Sequence, residues 1–118
     1  MSRFAILLLV LVLTGCAVTA PAPDPRELSL AVMPGAVLQE TVDLLMDEGY
    51  VIRHADAELG RVEATLSRWP GYRVRAEVMP EGEVARISMT ATRGGRPLPP
   101  HLLDRLLAAL QTRLGLAP

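Results

Sequence analysis

The sequence contains no lysine and no asparagine, and it holds one cysteine, two histidines and one tryptophan among its 118 residues. A lone cysteine cannot close an internal disulfide, so whatever folds here must be stable without one. His54 and His101 stand in no metal-ligand spacing, which would leave a metal site to carboxylates, and no metal or other cofactor is expected. Gly94-Gly95 lacks the lysine and the flanking spacing of a phosphate loop and reads as a flexible link. No serine sits in a nucleophile elbow, so an enzyme, with a hydrolase as its nearest form, is the least favoured class of function. An excess of either charge is missing too. Twelve arginines face thirteen acids, for a formal net charge of -1, and such a balance offers no bulk attraction for nucleic acid or anionic lipid.

No apolar run is long enough to cross a bilayer. The run from Phe4 to Leu13 has ten residues, which as a helix would rise about 15 Å, roughly half of a hydrocarbon core. Arg3 precedes it and Leu13-Thr14-Gly15-Cys16 closes it, the layout of an export leader. An ordinary secretory leader, cut after Thr14-Gly15 or Thr19-Ala20, would release a protein with a spare thiol. A buried N-terminal strand would need room for ten consecutive apolar side chains, which a domain this small does not supply. Against both, Leu13-Thr14-Gly15-Cys16 resembles the bacterial lipobox at all four positions. That resemblance implies diacylglycerol on the Cys16 thiol, cleavage just before Cys16 and acylation of the new amino group. Residues 1–15 would then be a signal peptide and Cys16 the lipid attachment site, which also accounts for the odd cysteine. Two or three acyl chains hold a protein at a membrane firmly where a single one does not. By the same resemblance, Ala17 lacks the acidic inner-membrane retention signal, so the expected location is the periplasmic face of the outer membrane. The arginine-only basic composition, that of a GC-rich genome, is the indication of cell type.

Residues 16–27 read as the lipidated cysteine and a tether. Ala17 to Pro25 contains three prolines and no apolar periodicity, an extended spacer whose nine residues would reach about 30 Å. Residues 28–118 are enough for one small core and too few for two. With Arg3 removed, eleven arginines remain against thirteen acids.

The period of the apolar residues divides this domain. From Pro34 to Glu48 it is helical: Gln39, Glu40, Asp43 and Asp47 share one third of the circumference, while Val37, Leu38, Thr41, Val42, Leu44, Leu45 and Met46 fill the rest. Pro34 suits a first turn and Gly49 a helix end. The period then drops to two, predicting strands at Tyr50 to His54, Arg61 to Arg68, Tyr72 to Met79 and Ala85 to Ala91. One side of these holds Val62, Ala64, Leu66, Val74, Ala76, Val78, Ile87 and Met89, and the other holds arginine, glutamate, serine and threonine. That is the pattern of antiparallel strands with a dry and a wet face. Asp56 to Gly60, Trp69-Pro70-Gly71 and Pro80-Glu81-Gly82 supply the turns. Pro99-Pro100 leads into a second helix ending near Leu114, with Leu103, Leu106, Leu107 and Leu110 in its apolar stripe.

The expected fold is therefore α+β and two-layered: a four-stranded antiparallel meander with both helices on its dry face, and Leu28 to Met33 as a candidate fifth strand. The helix followed by Gly49-Tyr50-Val51-Ile52, Asp56 and Gly60-Arg61-Val62 resembles the helix-grip domains of the lipoprotein subunit of the outer-membrane β-barrel assembly machine. The resemblance implies a small periplasmic helix-and-sheet domain. That subunit's second such domain and long N-terminal region have no counterpart here, and its partner is not carried over.

On the wet face, Arg61, Glu63, Arg73, Arg75, Glu77 and Arg86 would be cross-strand neighbours. They form either a self-compensating ion network or, with Trp69, a candidate interaction surface. Trp69 itself is expected to cap the core rather than stand as a contact anchor. His54 reads as a sheet-rim residue packed partly with Tyr50 and Ile52, and His101 as a surface residue in a first helical turn. The strand from Arg86 to Thr92 is a candidate exposed edge to which a partner strand could add. Gly49-Tyr50 and Gly71-Tyr72 begin two strands alike, which needs no internal duplication to explain it. The leading expectation is a non-enzymatic, membrane-anchored lipoprotein that binds another envelope protein. The alternative is a carrier of a small apolar ligand between helices and sheet, marked by a cavity of about 300 Å³ or more.

Overall fold

The computed structural model describes residues 23–117, so the expected signal peptide, Cys16 and most of the expected tether lie outside the described residues. The helix expected at Pro34 is α1 (Pro34–Asp47). Proline has no N–H to leave unbonded in a first turn, and Gly49, at φ +93°, takes the left-handed position that ends the helix. Ahead of α1 lies β1 (Arg26–Leu30). After it come β2 (Tyr50–Asp56), β3 (Arg61–Leu66), β4 (Arg73–Glu81), β5 (Val84–Arg93) and the two-residue β6 (Arg96–Pro97). A 3-10 turn over Pro100–Leu103 then leads into α2 (Asp104–Arg113).

The strands form one antiparallel sheet in the order β1-β5-β4-β3-β2, with β6 pairing beyond β1 on β5. The expected meander is β2 to β5, and the candidate fifth strand exists. It begins two residues earlier than expected, with Arg26 opposite Met89 and Leu30 opposite Ala85. Among the described residues, no helix is long and apolar enough to cross a membrane.

Register explains the two faces. Ala64 stands opposite Val74, Val62 opposite Ala76, Ala76 opposite Met89 and Val78 opposite Ile87, so one face is apolar along its whole width. The buried leucines of α1 (Leu38, Leu44, Leu45) and of the C-terminal segment (Leu103, Leu106, Leu107, Leu110) pack on that face, and with it they form the core. Each fully buried leucine contributes about 1.5–3 kcal/mol relative to an exposed one. Thr41 is buried among them without an orphan hydroxyl, because its Oγ1 donates to the Val37 carbonyl at 2.7 Å. Exposed ion pairs also bridge the helices to each other and to β1. Arg105 lies 2.9 Å from Glu48, Arg113 pairs with Asp47, and Arg26 grips both carboxylate oxygens of Asp104 at 2.7 and 3.2 Å.

Three local expectations are overturned. Gly94-Gly95 is a hairpin turn between β5 and β6 rather than a loose link, both glycines having positive φ, +57° and +77°. That is the turn class whose twist matches paired strands. The segment Arg86 to Thr92 is not a free edge, since β1 pairs with Ala85 to Met89 and β6 with Thr92 and Arg93. In β2, the register slips between Ile52 and His54, which leaves Arg53 as a bulge. One extra residue reverses the alternation. His54 therefore does not join Tyr50 and Ile52 but lies exposed on the wet face, opposite Glu63.

Candidate functional site

The wet face gathers the six charged residues expected on it and shows how their charges are used. Arg61 Nε lies 3.2 Å from Glu77, while Glu63 receives Arg73 at 3.4 Å and Arg75 at 3.3 Å. Arg86 sits between Glu81 at 2.7 Å and Glu27 at 3.5 Å, although its Nε–H does not point along the shorter contact. All of these side chains are at least a quarter exposed. The four arginines are thus matched by Glu27, Glu63, Glu77 and Glu81, an arrangement in which each pair contributes about 0–1 kcal/mol. Pro23 and Pro25 lie beside Arg75, Glu77, Ser88 and Thr90, where the segment before β1 meets this face.

Trp69 is not with them, nor in the core. It is 84% exposed in the connection between β3 and β4, with the Arg93 guanidinium 5.3 Å from its ring centroid. Its short connection carries Pro70-Gly71, and among the described residues the indole finds no covering element, as its exposure shows. His101 is exposed at the 3-10 turn. Among the described residues, no three histidine, cysteine, aspartate or glutamate side chains converge as metal ligands would.

A second locus, which periodicity does not single out, lies where β2 begins and β3 and β5 finish. An opening of about 210 Å³ there has a floor of Leu66, Val74, Ala91, Leu103 and Leu106 and a rim of Tyr50, Tyr72, Arg68, Arg105 and Glu48. The matching Gly49-Tyr50 and Gly71-Tyr72 pairs are its one trace in the sequence. Tyr50 stands opposite Leu66, whose N–H donates to the Tyr72 carbonyl at 2.7 Å, so β3 carries both tyrosines to the same end. Burial raises the Tyr50 phenol above its ordinary value. Arg105 opposes that rise, while Glu48 and Tyr72 add to it. Arg68 spans the rim by donating to the Glu48 carbonyl at 3.2 Å.

The sheet's edges are β2 on one side and β1 with the two-residue β6 on the other. β1 is five residues long and follows Pro23 and Pro25, which lack the N–H that another strand would need. β2 has seven residues, the bulge at Arg53, and Val51 44% exposed, and no other described strand pairs on its outer side.

No protein-family model matches the sequence, and no curated protein matches it. Among solved structures, the chain is similar to the Thermus thermophilus protein TTHA0849. The two are 16% identical over 76% of this chain and 86% of that one, with a TM-score of 0.44. A likeness of that size assigns no activity.

Proposed function

We propose that this chain is a lipid-anchored lipoprotein of the bacterial envelope, held through Cys16, whose domain is a non-enzymatic binding module for another envelope protein. Its expected place is the periplasmic face of the outer membrane. The observation that carries the binding role is the outer side of β2. Its backbone groups face away from the sheet, Val51 is exposed beside them, and α1 backs the strand from the dry side. An extended segment of a partner would gain main-chain hydrogen bonds there, with apolar contact at Val51 and a stop at the Arg53 bulge.

The carrier alternative draws less support. The opening beside Tyr50 is about 210 Å³, under the roughly 300 Å³ at which small-molecule sites begin. The dry face beyond it is filled by leucines from both helical segments.

A photoreactive residue at Val51, irradiated in intact envelopes, should crosslink one reproducible protein. The same residue at Ser29, on the opposite edge, should not. Equal capture at both positions, or none at either, would overturn the assignment to β2.

A further inference from the structure

The near-neutral total charge conceals a division along the strands. At the Tyr50 end, Arg68 lies in the connection after β3, Arg93 closes β5 and Arg96 opens β6, all exposed. Among the described residues, none of these three forms an ion pair with a carboxylate, whereas the wet-face arginines each have one. The opposite end carries Asp56 and Glu81 at the ends of β2 and β4, Glu81 being engaged by Arg86, and Glu58 and Glu83 in the turns that follow. The domain is therefore basic at one end and acidic at the other.

The basic end also bears the features of a boundary between water and hydrocarbon. Trp69 is 84% exposed there and Leu102 45%, and tryptophan combines an apolar ring with an N–H that suits the headgroup level of a membrane. β1 runs from Arg26 opposite Met89 to Leu30 opposite Ala85, so the chain enters this strand from the side on which β5 finishes, after Pro23 and Pro25 have passed over the wet face beside Ser88 and Thr90. The six residues between Cys16 and Pro23 would reach about 20 Å if extended, which keeps the anchor close. The wet face is also within that reach, beside Pro23 and Pro25. Its arginines are already engaged by glutamates, and an anionic surface would have to displace them.

We infer that the domain rests on the bilayer holding its lipid anchor by this basic end, with Arg68, Arg93 and Arg96 on anionic phospholipid headgroups and Trp69 at headgroup depth. The inference rests on the lipid-anchor reading above. Three arginines make a weak contact alone, and the anchor makes it effective by holding the end at high local concentration. The acidic end is turned away by the same field. That orientation leaves the long side of β2 facing outward along the membrane plane rather than into it.

Trp69 is the chain's one tryptophan, so its emission reports on this end alone. Protein extracted from envelopes is mixed at low salt with vesicles of phosphatidylethanolamine and phosphatidylglycerol carrying brominated acyl chains, or with brominated phosphatidylcholine vesicles. Flotation with the vesicles reads the anchor independently. The expected result is flotation with both, and a blue shift and loss of Trp69 emission with the anionic vesicles alone. The double variant Arg93→Glu/Arg96→Glu, confined to an exposed hairpin, should float and keep its emission. A floating protein whose emission is unchanged by anionic vesicles overturns the orientation and leaves the anchor standing. Quenching without stable flotation removes the anchor and retains the basic end as the bilayer contact. Equal quenching by phosphatidylcholine, or in the charge-reversed variant, overturns the recognition of headgroups, and a protein that neither floats nor is quenched overturns both.

Discussion

Gly60 is the glycine at which an added side chain would collide with a neighbouring strand. It closes the turn between β2 and β3 at φ +66°, its carbonyl accepts from Val78 N–H at 2.7 Å, and a Cβ there would lie 2.2 Å from the Val78 carbonyl oxygen. Left-handed backbone costs a side-chain-bearing residue about 1–2 kcal/mol, and the collision adds to that. Gly82 has φ +62° with open space around it. Gly60→Ala should therefore lower stability in urea by more than about 2 kcal/mol and Gly82→Ala by about 1; equal losses would mean that the Val78 carbonyl gives way freely. Tyr50 supplies a second test at this scale. Its phenol is raised, chiefly by burial, above 10.0, so the folded protein favours the protonated form. The stability this provides is complete below pH 10.0 and is lost as pH rises through the folded value. Urea midpoints followed into alkali should fall in the native chain, and Tyr50→Phe should remove part of that fall. The residues that the sequence misplaces share one cause. Unbroken alternation misplaces His54, apolar size misplaces Trp69, and flexibility misreads Gly94-Gly95. Each is decided by something non-local: a bulge set by the partner strand, a connection that nothing covers, and a turn that exists because β6 pairs back on β5.

The elements themselves are largely legible. α1, the strands β2 to β5 and the leucine stripe of α2 follow from periods of 3.6 and 2 within single segments, and periodicity needs no knowledge of the rest of the chain. What β1 pairs with is not legible, because Leu28 and Leu30 find Ile87 and Ala85 almost sixty residues away, a separation about which local pattern is silent. The error about the free edge follows from that gap. β1 nonetheless fastens the core, since Leu30 is 1% exposed. Leu30→Ala should cost about 2–5 kcal/mol by urea denaturation. A loss within about 0.5 kcal/mol, the range of surface substitutions, would show that β1 is an ornament on a sheet complete without it. The tyrosine-lined opening is the part of the candidate site hidden from sequence, because it is assembled from four strands and the segment after β6.

For the whole molecule, charge pattern outweighs charge total. The ion pairs of the wet face are exposed and individually weak, so they should govern solubility more than stability. The urea midpoint should shift little between about 0.1 and 1 M sodium chloride, over which the screening length falls from about 10 Å to about 3 Å. A steep decline would reveal a desolvated network instead. The division of charge between the two ends is a different quantity, and salt should weaken it as an orienting influence while leaving the fold intact. Strand order adds a mechanical consequence. The chain before Arg26 joins β1 at one edge of the sheet, and the open side of β2 is the other, so a load passed between that segment and anything bound along β2 would cross every strand between them. Where the pull ran along β1, its ladder with β5 would resist as a unit in shear instead of opening one pair at a time like a zip. In that respect, placing the first strand beside the fifth makes the sheet a plate bolted at opposite margins, and its antiparallel ladders the members under strain.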